Sequence, residues 1–270
     1  MTSTVAFFHA HPDDEALLTG GTMARLAAEG HRVVLITATA GGAGLASSGF
    51  GRGDELAAAR EAELIAASAH LGCSRVVMLG YRDSGMRGEN TADGRVFCEE
   101  DVDGVASRVA EVLVEEDAVA VTGYDPAGGY GHPDHLQVHR CARAAARIAG
   151  TPRLFEATVD RRALQRALRL STPFRPRSSD FDPSRFDAMF ADPATITHRI
   201  DVRAFIDAKR AALQTHASQS SADGADRTIA WMLRLPAPIF RLALGGEWFV
   251  EVGAHAGGQR KKELLGAPFT

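Results

Sequence analysis

Two short segments of this chain concentrate side chains that move protons or hold cations. One is His9-Ala10-His11-Pro12-Asp13-Asp14-Glu15, and the other is Tyr130-Gly131-His132-Pro133-Asp134-His135. Two imidazoles and one carboxylate around an open position make the ligand set of a hydrolytic zinc ion. His11, Asp14, His132, His135 and His139 offer more donors than such a set needs. His135 and His139 are one helical turn apart, but His139 lies beyond the turn, so His135 is preferred. His9 falls inside an apolar run and reads as core. Acidic residues at a helix start also cap it and favour its dipole, which is the structural reading of Asp13-Asp14-Glu15. The repetition of His-Pro-Asp in a second place moves the balance toward chemistry.

Both segments must be held by regular elements. Thr4 to Phe8 reads as a buried strand and Ala16 to Ala28 as a helix, so the first cluster sits in a strand-to-helix turn. Pro12 keeps His11 extended while Asp13 and Asp14 open the helix. Ala118 to Thr122 and His135 to Ala149 repeat the device, and the two turns can face each other across one crevice. Between them come strands at Arg32 to Ala38 and Arg75 to Leu79, with helices at Asp54 to Leu71 and Asp101 to Glu115. Leu154 to Val159 is a fifth strand. This alternation up to about residue 160 argues for an α/β fold, a mostly parallel sheet with helices on both faces. Beyond it, Pro173 to Pro193 reads as a loop or lid, Thr195 to Val202 as strand, Arg203 to Ser218 as helix and Glu247 to Val252 as a last strand. The expectation is a single catalytic domain over 1–270, with a core at 1–160 and a C-terminal capping segment at 161–270 that lines the substrate pocket.

Composition removes several classes. The chain has 270 residues and a formal net charge of -4, so it lacks the basic footprint of a nucleic-acid binder. No apolar run approaches the roughly 18–20 residues that span a bilayer, and Met1-Thr2-Ser3-Thr4 lacks a signal peptide's positive start. Cys73, Cys98 and Cys141 are odd in number and scattered, which points to reduced thiols and the cytoplasm. Lys209, Lys261 and Lys262 are the only lysines against abundant Arg and Ala, as in a GC-rich bacterial genome. Ala40-Gly41-Gly42-Ala43-Gly44 is a glycine-rich turn after the second strand, not the first, and so does not meet the dinucleotide fingerprint.

Together, Ala10-His11-Pro12-Asp13-Asp14-Glu15 and Gly131-His132-Pro133-Asp134-His135 resemble the paired motifs of the zinc-dependent N-acetylglucosaminyl deacetylases of the LmbE-like and phosphatidylinositol-glycan class L (PIG-L) family. The resemblance continues through Ala211-Ala212-Leu213-Gln214-Thr215-His216-Ala217-Ser218-Gln219 and Gly246-Glu247-Trp248-Phe249. Tyr130 is similar to the mycothiol-pathway members. The resemblance implies a Rossmann-like core, one zinc ion on His11, Asp14 and His135, Asp13 as general base and His132 as the group stabilising the oxyanion. In that scheme Asp134 orients His132 and favours its cation, and Asp13 returns a proton to the leaving amine. Asp83 resembles an acid used on sugar hydroxyls, and Arg60 or Arg52 is placed to meet a phosphate or sugar. The family often carries a charged residue and a Glu where this chain has Ala40 to Gly44.

The expected activity is zinc-dependent removal of acetyl from an N-acetylated amino sugar or its glycoconjugate. Cleavage of a larger amide, as in a thiol conjugate, is the rival within the enzyme class. A sugar-binding module without turnover is the rival outside it, and Asp13 speaks against that because pure binding needs no base. Magnesium-dependent phosphoryl hydrolysis is disfavoured by the two histidines, since Mg²⁺ prefers oxygen.

Overall fold

Strand β1 (Thr4–His9) carries apolar side chains on both faces, with Val5, Ala6, Phe7 and Phe8 all fully buried. A strand of that kind has to be covered from both sides. In the computed structural model, which describes residues 2–43, 53–86, 95–165, 189–220 and 228–266, β1 lies mid-sheet. It pairs in parallel with β2 (Arg32–Thr39) on one side and β4 (Ala118–Tyr124) on the other. β3 (Arg75–Tyr81) adds in parallel beyond β2, and β5 (Arg153–Thr158) beyond β4. Two antiparallel strands from the C-terminal part, β6 (His198–Asp201) and β7 (Gly246–Glu251), complete the order β3-β2-β1-β4-β5-β7-β6. The mostly parallel α/β sheet is as expected. The C-terminal part also does more than cap the core, because it extends the same sheet.

The alternation along β1 sorts the helices. Val5 and Phe7 pack with Met23 of α1 (Gly20–Ala28), Leu64 of α2 (Asp54–His70) and Leu213 of α5 (Ile206–Thr215). Ala6 and Phe8 pack with Val105 and Val109 of α3 (Val102–Glu115) and Val138 and Ala142 of α4 (Pro133–Ala149). Each large apolar side chain so buried contributes about 1.5–3 kcal/mol, which is what holds the helices on the sheet. None of the described helices is long and apolar enough to cross a membrane. Only residues 189–193 of the expected Pro173 to Pro193 loop are described, and 173–188 lies outside the described residues, as do Arg52 and residues 87–94 after β3.

The helix after β1 opens irregularly. Asp13 has φ 99°, a π-helical turn runs over Glu15–Thr19, and α1 proper starts at Gly20. Asp13 therefore precedes the helical path, and Asp14 caps it with helical dihedrals. Its start is also where the C-terminal part is fastened. A Cβ on Gly21 would lie 2.4 Å from Cβ of Val202, so only glycine admits that contact. Glu247 of β7 accepts from the N–H groups of Gly21 and Thr22 at 2.8 Å each and from Nζ of Lys209 at 2.6 Å. The Lys209–Glu247 pair is 1% and 2% exposed.

Removing one partner of a buried pair strands the other charge, at a cost of about 3–5 kcal/mol. Lys209→Met is therefore expected to lower the unfolding free energy by at least ~3 kcal/mol in urea titrations. Adding Glu247→Gln removes the stranded charge while leaving one oxygen to accept from either Gly21 or Thr22, so the double variant should recover part of the loss. A single substitution costing under about 1 kcal/mol, the range of an exposed pair, would show that the pair does not hold the segment.

Candidate active site

The order of the sheet sets the site's position. The chain winds outward from β1 to β2 and β3, then returns to place β4 on β1's other edge. The carboxyl ends of β1 and β4 therefore flank the point where the winding reverses, where open α/β sheets leave a crevice. β1 delivers His9 to Glu15 there, β4 delivers Tyr124 to His135, and the turn after β3 adds Asp83 and Ser84.

Asp13, Asp14 and Glu15 are consecutive, yet each meets a different partner. Oδ2 of Asp14 accepts from the His11 N–H at 3.0 Å and lies 3.3 Å from both Nδ1 of His11 and Nε2 of His135. Asp13 turns the other way, where its Oδ2 accepts from Nη2 of Arg60 at 3.2 Å. Glu15 accepts from the Asp13 N–H at 2.9 Å and from Nε2 of His216 at 2.6 Å. The positive φ of Asp13 separates the first two carboxylates, a backbone state that costs a non-glycine residue about 1–3 kcal/mol.

Burial and neighbours tune these groups in opposite directions. Burial pushes the Asp13 carboxyl up and outweighs the Arg60 guanidinium, with Asp14 adding to the rise, to about 6. Burial would also raise Asp14, but His135 and His11 outweigh it and hold that carboxyl well below its ordinary value. His11 is buried as well, yet Asp134, Asp14 and Asp83 keep its imidazole well above the ordinary value. His132 falls to about 4 through burial and the adjacent rings of His11 and His135.

His11, His132 and His135 can each present a ring nitrogen within 4.8 Å of the others. His135 is 1% exposed and neither of its ring nitrogens has a hydrogen-bond partner. The Tyr124 ring stacks on it at 4.0 Å and 9°, which fixes its plane. An unpaired buried imidazole is costly, and a divalent cation beside Nε2 removes the deficit. Nε2 of His11 lies 3.1 Å from Oδ2 of Asp134, so in the neutral ring the proton belongs on Nε2 and the Nδ1 lone pair faces Asp14. Two nitrogens and one carboxylate oxygen, from His11, Asp14 and His135, are of the type and number that could hold a borderline divalent metal ion. His132 differs, because its Nδ1 accepts from the Asp134 N–H at 3.1 Å as α4's N-cap. In the neutral ring its Nε2 then carries the proton and offers a donor in place of a lone pair.

Several expectations change. Asp134 does not orient His132 through its carboxylate, whose Oδ2 is given to Nε2 of His11 and to the Ser84 N–H, at 3.1 Å each. Its other oxygen is buried without a partner. A ring accepting at Nδ1 is also not a cation, so His132 is a neutral donor. Arg60 is 3% exposed and turns its two Nη groups to the protein, reaching the Gly41 carbonyl at 2.8 Å, the Pro12 carbonyl at 2.5 Å and Asp13, while its Nε is buried without a partner. It braces the turn and is not laid out for substrate. Asp83 does stand in the site, with Oδ1 3.4 Å from Nε2 of His11 and its oxygens accepting from Gly85 and Ala43. Tyr130 lies edge-on to His135 with centroids 4.9 Å apart and is 41% exposed at the mouth. His139 stays outside, its Nδ1 2.9 Å from the Tyr124 carbonyl. His9 is core, with Nε2 2.8 Å from the Thr19 hydroxyl. Tyr124 and Ser84 are site neighbours that motif reading did not name, and Glu15 and His216 lay within the motif stretches without an assigned role.

The fold and the site together define a Rossmann-like α/β protein with a histidine–carboxylate centre at its switch point. Residues 6–146 match the model of the PIG-L family, described as GlcNAc-PI de-N-acetylase, and the chain belongs to that family. It is 39% identical over 230 residues to a 1D-myo-inositol 2-acetamido-2-deoxy-alpha-D-glucopyranoside deacetylase of Saccharomonospora viridis, covering 79% of this chain and 84% of the relative. A deacetylase with the same description from Rhodococcus jostii is 35% identical over 290 residues, 96% of each chain, so the likeness includes the C-terminal part. The fold is shared with the N,N'-diacetylchitobiose deacetylase of Pyrococcus horikoshii at a TM-score of 0.57 and 20% identity, over 93% of this chain and 84% of that one.

The difference between the two motif histidines is measurable without turnover. Asp14→Ala and His135→Ala should each weaken Zn²⁺ or Co²⁺ binding by more than the ~10–100-fold typical of outer-shell changes, while His132→Ala retains the ion. Equilibrium dialysis with metal analysis reads this directly. Retention by His135→Ala together with loss in His132→Ala would reverse the assignment.

Proposed function

We propose that this chain is a zinc-dependent deacetylase that removes the N-acetyl group from an N-acetylglucosamine conjugate, with N-acetylglucosaminyl inositol as the first candidate. Its relatives' descriptions support that substrate. The observation that carries the mechanism is Asp13. Of three consecutive buried or half-buried acids it alone is not committed to a histidine, and it is the most accessible, with its side chain 19% exposed. A carboxyl near the ordinary working pH beside a metal-ligand set is what a general base requires. A pure binding module would have no use for it.

Bound to His11, Asp14 and His135, a zinc ion would supply Lewis acidity and make water acidic near neutral pH. Asp13 takes the proton of the attacking water and holds it, with Arg60 fixing the carboxylate's direction. As the acetyl carbonyl becomes tetrahedral, the Nε2–H of His132 donates to the developing oxyanion. Asp13 then delivers its proton to the amine nitrogen as the C–N bond breaks, giving acetate and a free amino sugar. Tyr130 at the mouth lies over the entering acetyl group. The free, scattered cysteines support action in the cytoplasm on a small soluble conjugate.

Purified protein given N-acetylglucosaminyl inositol should release acetate and amine in equal amounts, stop on chelation, and recover with about one Zn²⁺ per chain. Asp13→Asn should keep its metal while kcat falls by roughly 10² or more. Undiminished acetate release from metal-free protein, or turnover of cysteinyl amides with none of the acetylated sugar, would overturn this reading.

A further inference from the structure

The stretch Thr215-His216-Ala217-Ser218-Gln219 is far from both motifs in sequence and has no part in the mechanism above. Its histidine is nevertheless fully buried against the catalytic turn. α5 ends at Thr215, His216 leaves the helical path with ψ 61°, and its Nε2 donates to Oε1 of Glu15 at 2.6 Å. Both side chains are 0% exposed. The other oxygen of Glu15, Oε2, accepts from the Asp13 N–H at 2.9 Å. One carboxylate therefore bridges His216 to the peptide of the base. Two residues further on, the Ser218 N–H and hydroxyl donate to Glu63 at 2.8 and 2.7 Å. Glu63 lies on α2 one turn after Arg60, which holds the Asp13 carboxylate.

We propose that His216 is a positioning residue which, through Glu15, fixes the backbone of Asp13 in its positive-φ conformation and so aims the base away from Asp14. The inference rests on the function proposed above for its kinetic readout, and on geometry for its structural one. A fully buried carboxylate has to be compensated. Without His216, Glu15 loses the ring-nitrogen donor that fixes its rotamer and is free to rotate, and the Asp13 N–H loses a fixed acceptor. The left-handed φ of Asp13 is not self-sustaining, so its carboxylate drifts. Displacement of a reacting group by about 1 Å is worth up to ~100-fold in rate. The contacts of Asp14 with His11 and His135 do not run through Glu15, so metal binding is spared.

The test combines His216→Ala and His216→Gln with Asp13→Asn on the zinc-loaded full chain. His216→Ala should lower kcat about 10- to 100-fold with KM changed less than ~2-fold and zinc content kept. His216→Gln, whose amide can still donate to Glu15, should restore most of the rate. In the Asp13→Asn background His216→Ala should cost nothing further, because the group it aims is gone. Equal losses in both backgrounds, loss of zinc, or an unchanged kcat would overturn the proposal. Should His216→Ala fail to fold, Glu15→Gln supplies the same comparison, a kcat loss seen only with Asp13 present. Hydrogen–deuterium exchange of the peptide spanning residues 11–19 is independent of turnover. Faster exchange in His216→Ala, with α4 peptides unchanged, supports the brace, and unchanged exchange refutes it. If the wild-type chain releases no acetate, the functional reading falls and the exchange result alone decides the brace.

Discussion

Three adjacent carboxylates cannot share one buried turn unless each is answered separately, and the site is built around that constraint. Like charges a few ångströms apart in a low-dielectric setting repel strongly, so clustered acids either take up protons or find partners. Here Asp14 is answered by His11 and His135, Glu15 by His216, and Asp13 by Arg60. The partners come from β1's own turn, α4, the end of α5, and α2. A single turn thus draws on four parts of the chain. The answers are also unequal. Asp14 is over-compensated and stays ionised, whereas Asp13 has one guanidinium against burial and a neighbouring acid. The same imbalance is what the proposed division between a metal ligand and a proton carrier in consecutive residues rests on.

That arrangement depends on the sheet order. A strand covered on both faces must be central, and a central β1 brings β4 alongside it, so the two His-Pro-Asp turns become neighbours by topology. α4 then starts at the crevice. Pro133 takes its first position and His132 its cap, which fixes His132 by backbone bonding and leaves His135 one turn inward. In the proposed mechanism the spacing of His132 and His135 would let one helix N-terminus supply one donor and one ligand. Tyr124, the last residue of β4, completes the support, its ring flat on His135 and its hydroxyl accepting from the Ala10 N–H at 3.2 Å.

Much of this was legible in the sequence, for reasons that also mark its limit. β1, β2, α2, α3 and the paired motifs announce themselves because local pattern and turn chemistry suffice. The π-helical opening of the first helix and the positive φ of Asp13 were not legible, because the turn's partners lie over 40 and 200 residues away and no local preference records them. The helix read across Arg203 to Ser218 breaks at His216 because that side chain is drawn to Glu15. β6 is shorter than its apolar pattern because it is an edge strand, buried only at His198 and Ile200. Arg60 and Asp134 were the right residues given the wrong neighbours. An arginine in an Ala-rich helix and an acid beside a histidine do not say in advance which group they will face.

The protonation of His132 has a consequence for the division of labour. Burial and the rings of His11 and His135 oppose a charge on it, and the Asp134 N–H occupies the nitrogen that a cation would need to protonate. A neutral imidazole can stabilise an oxyanion by donating, but it has no spare proton to give to a leaving amine. In the proposed mechanism the proton taken from water would then be kept by a group that can hold it and release it, and Asp13, raised to about 6, is the acid of the three-carboxylate turn free of a histidine partner. Had His132 been the cation, either residue could have served as the acid. In the proposed mechanism the cap on α4 removes that redundancy, so both proton transfers would fall to one carboxylate, whose placement is what the contacts of Arg60, Glu15 and His216 bear on.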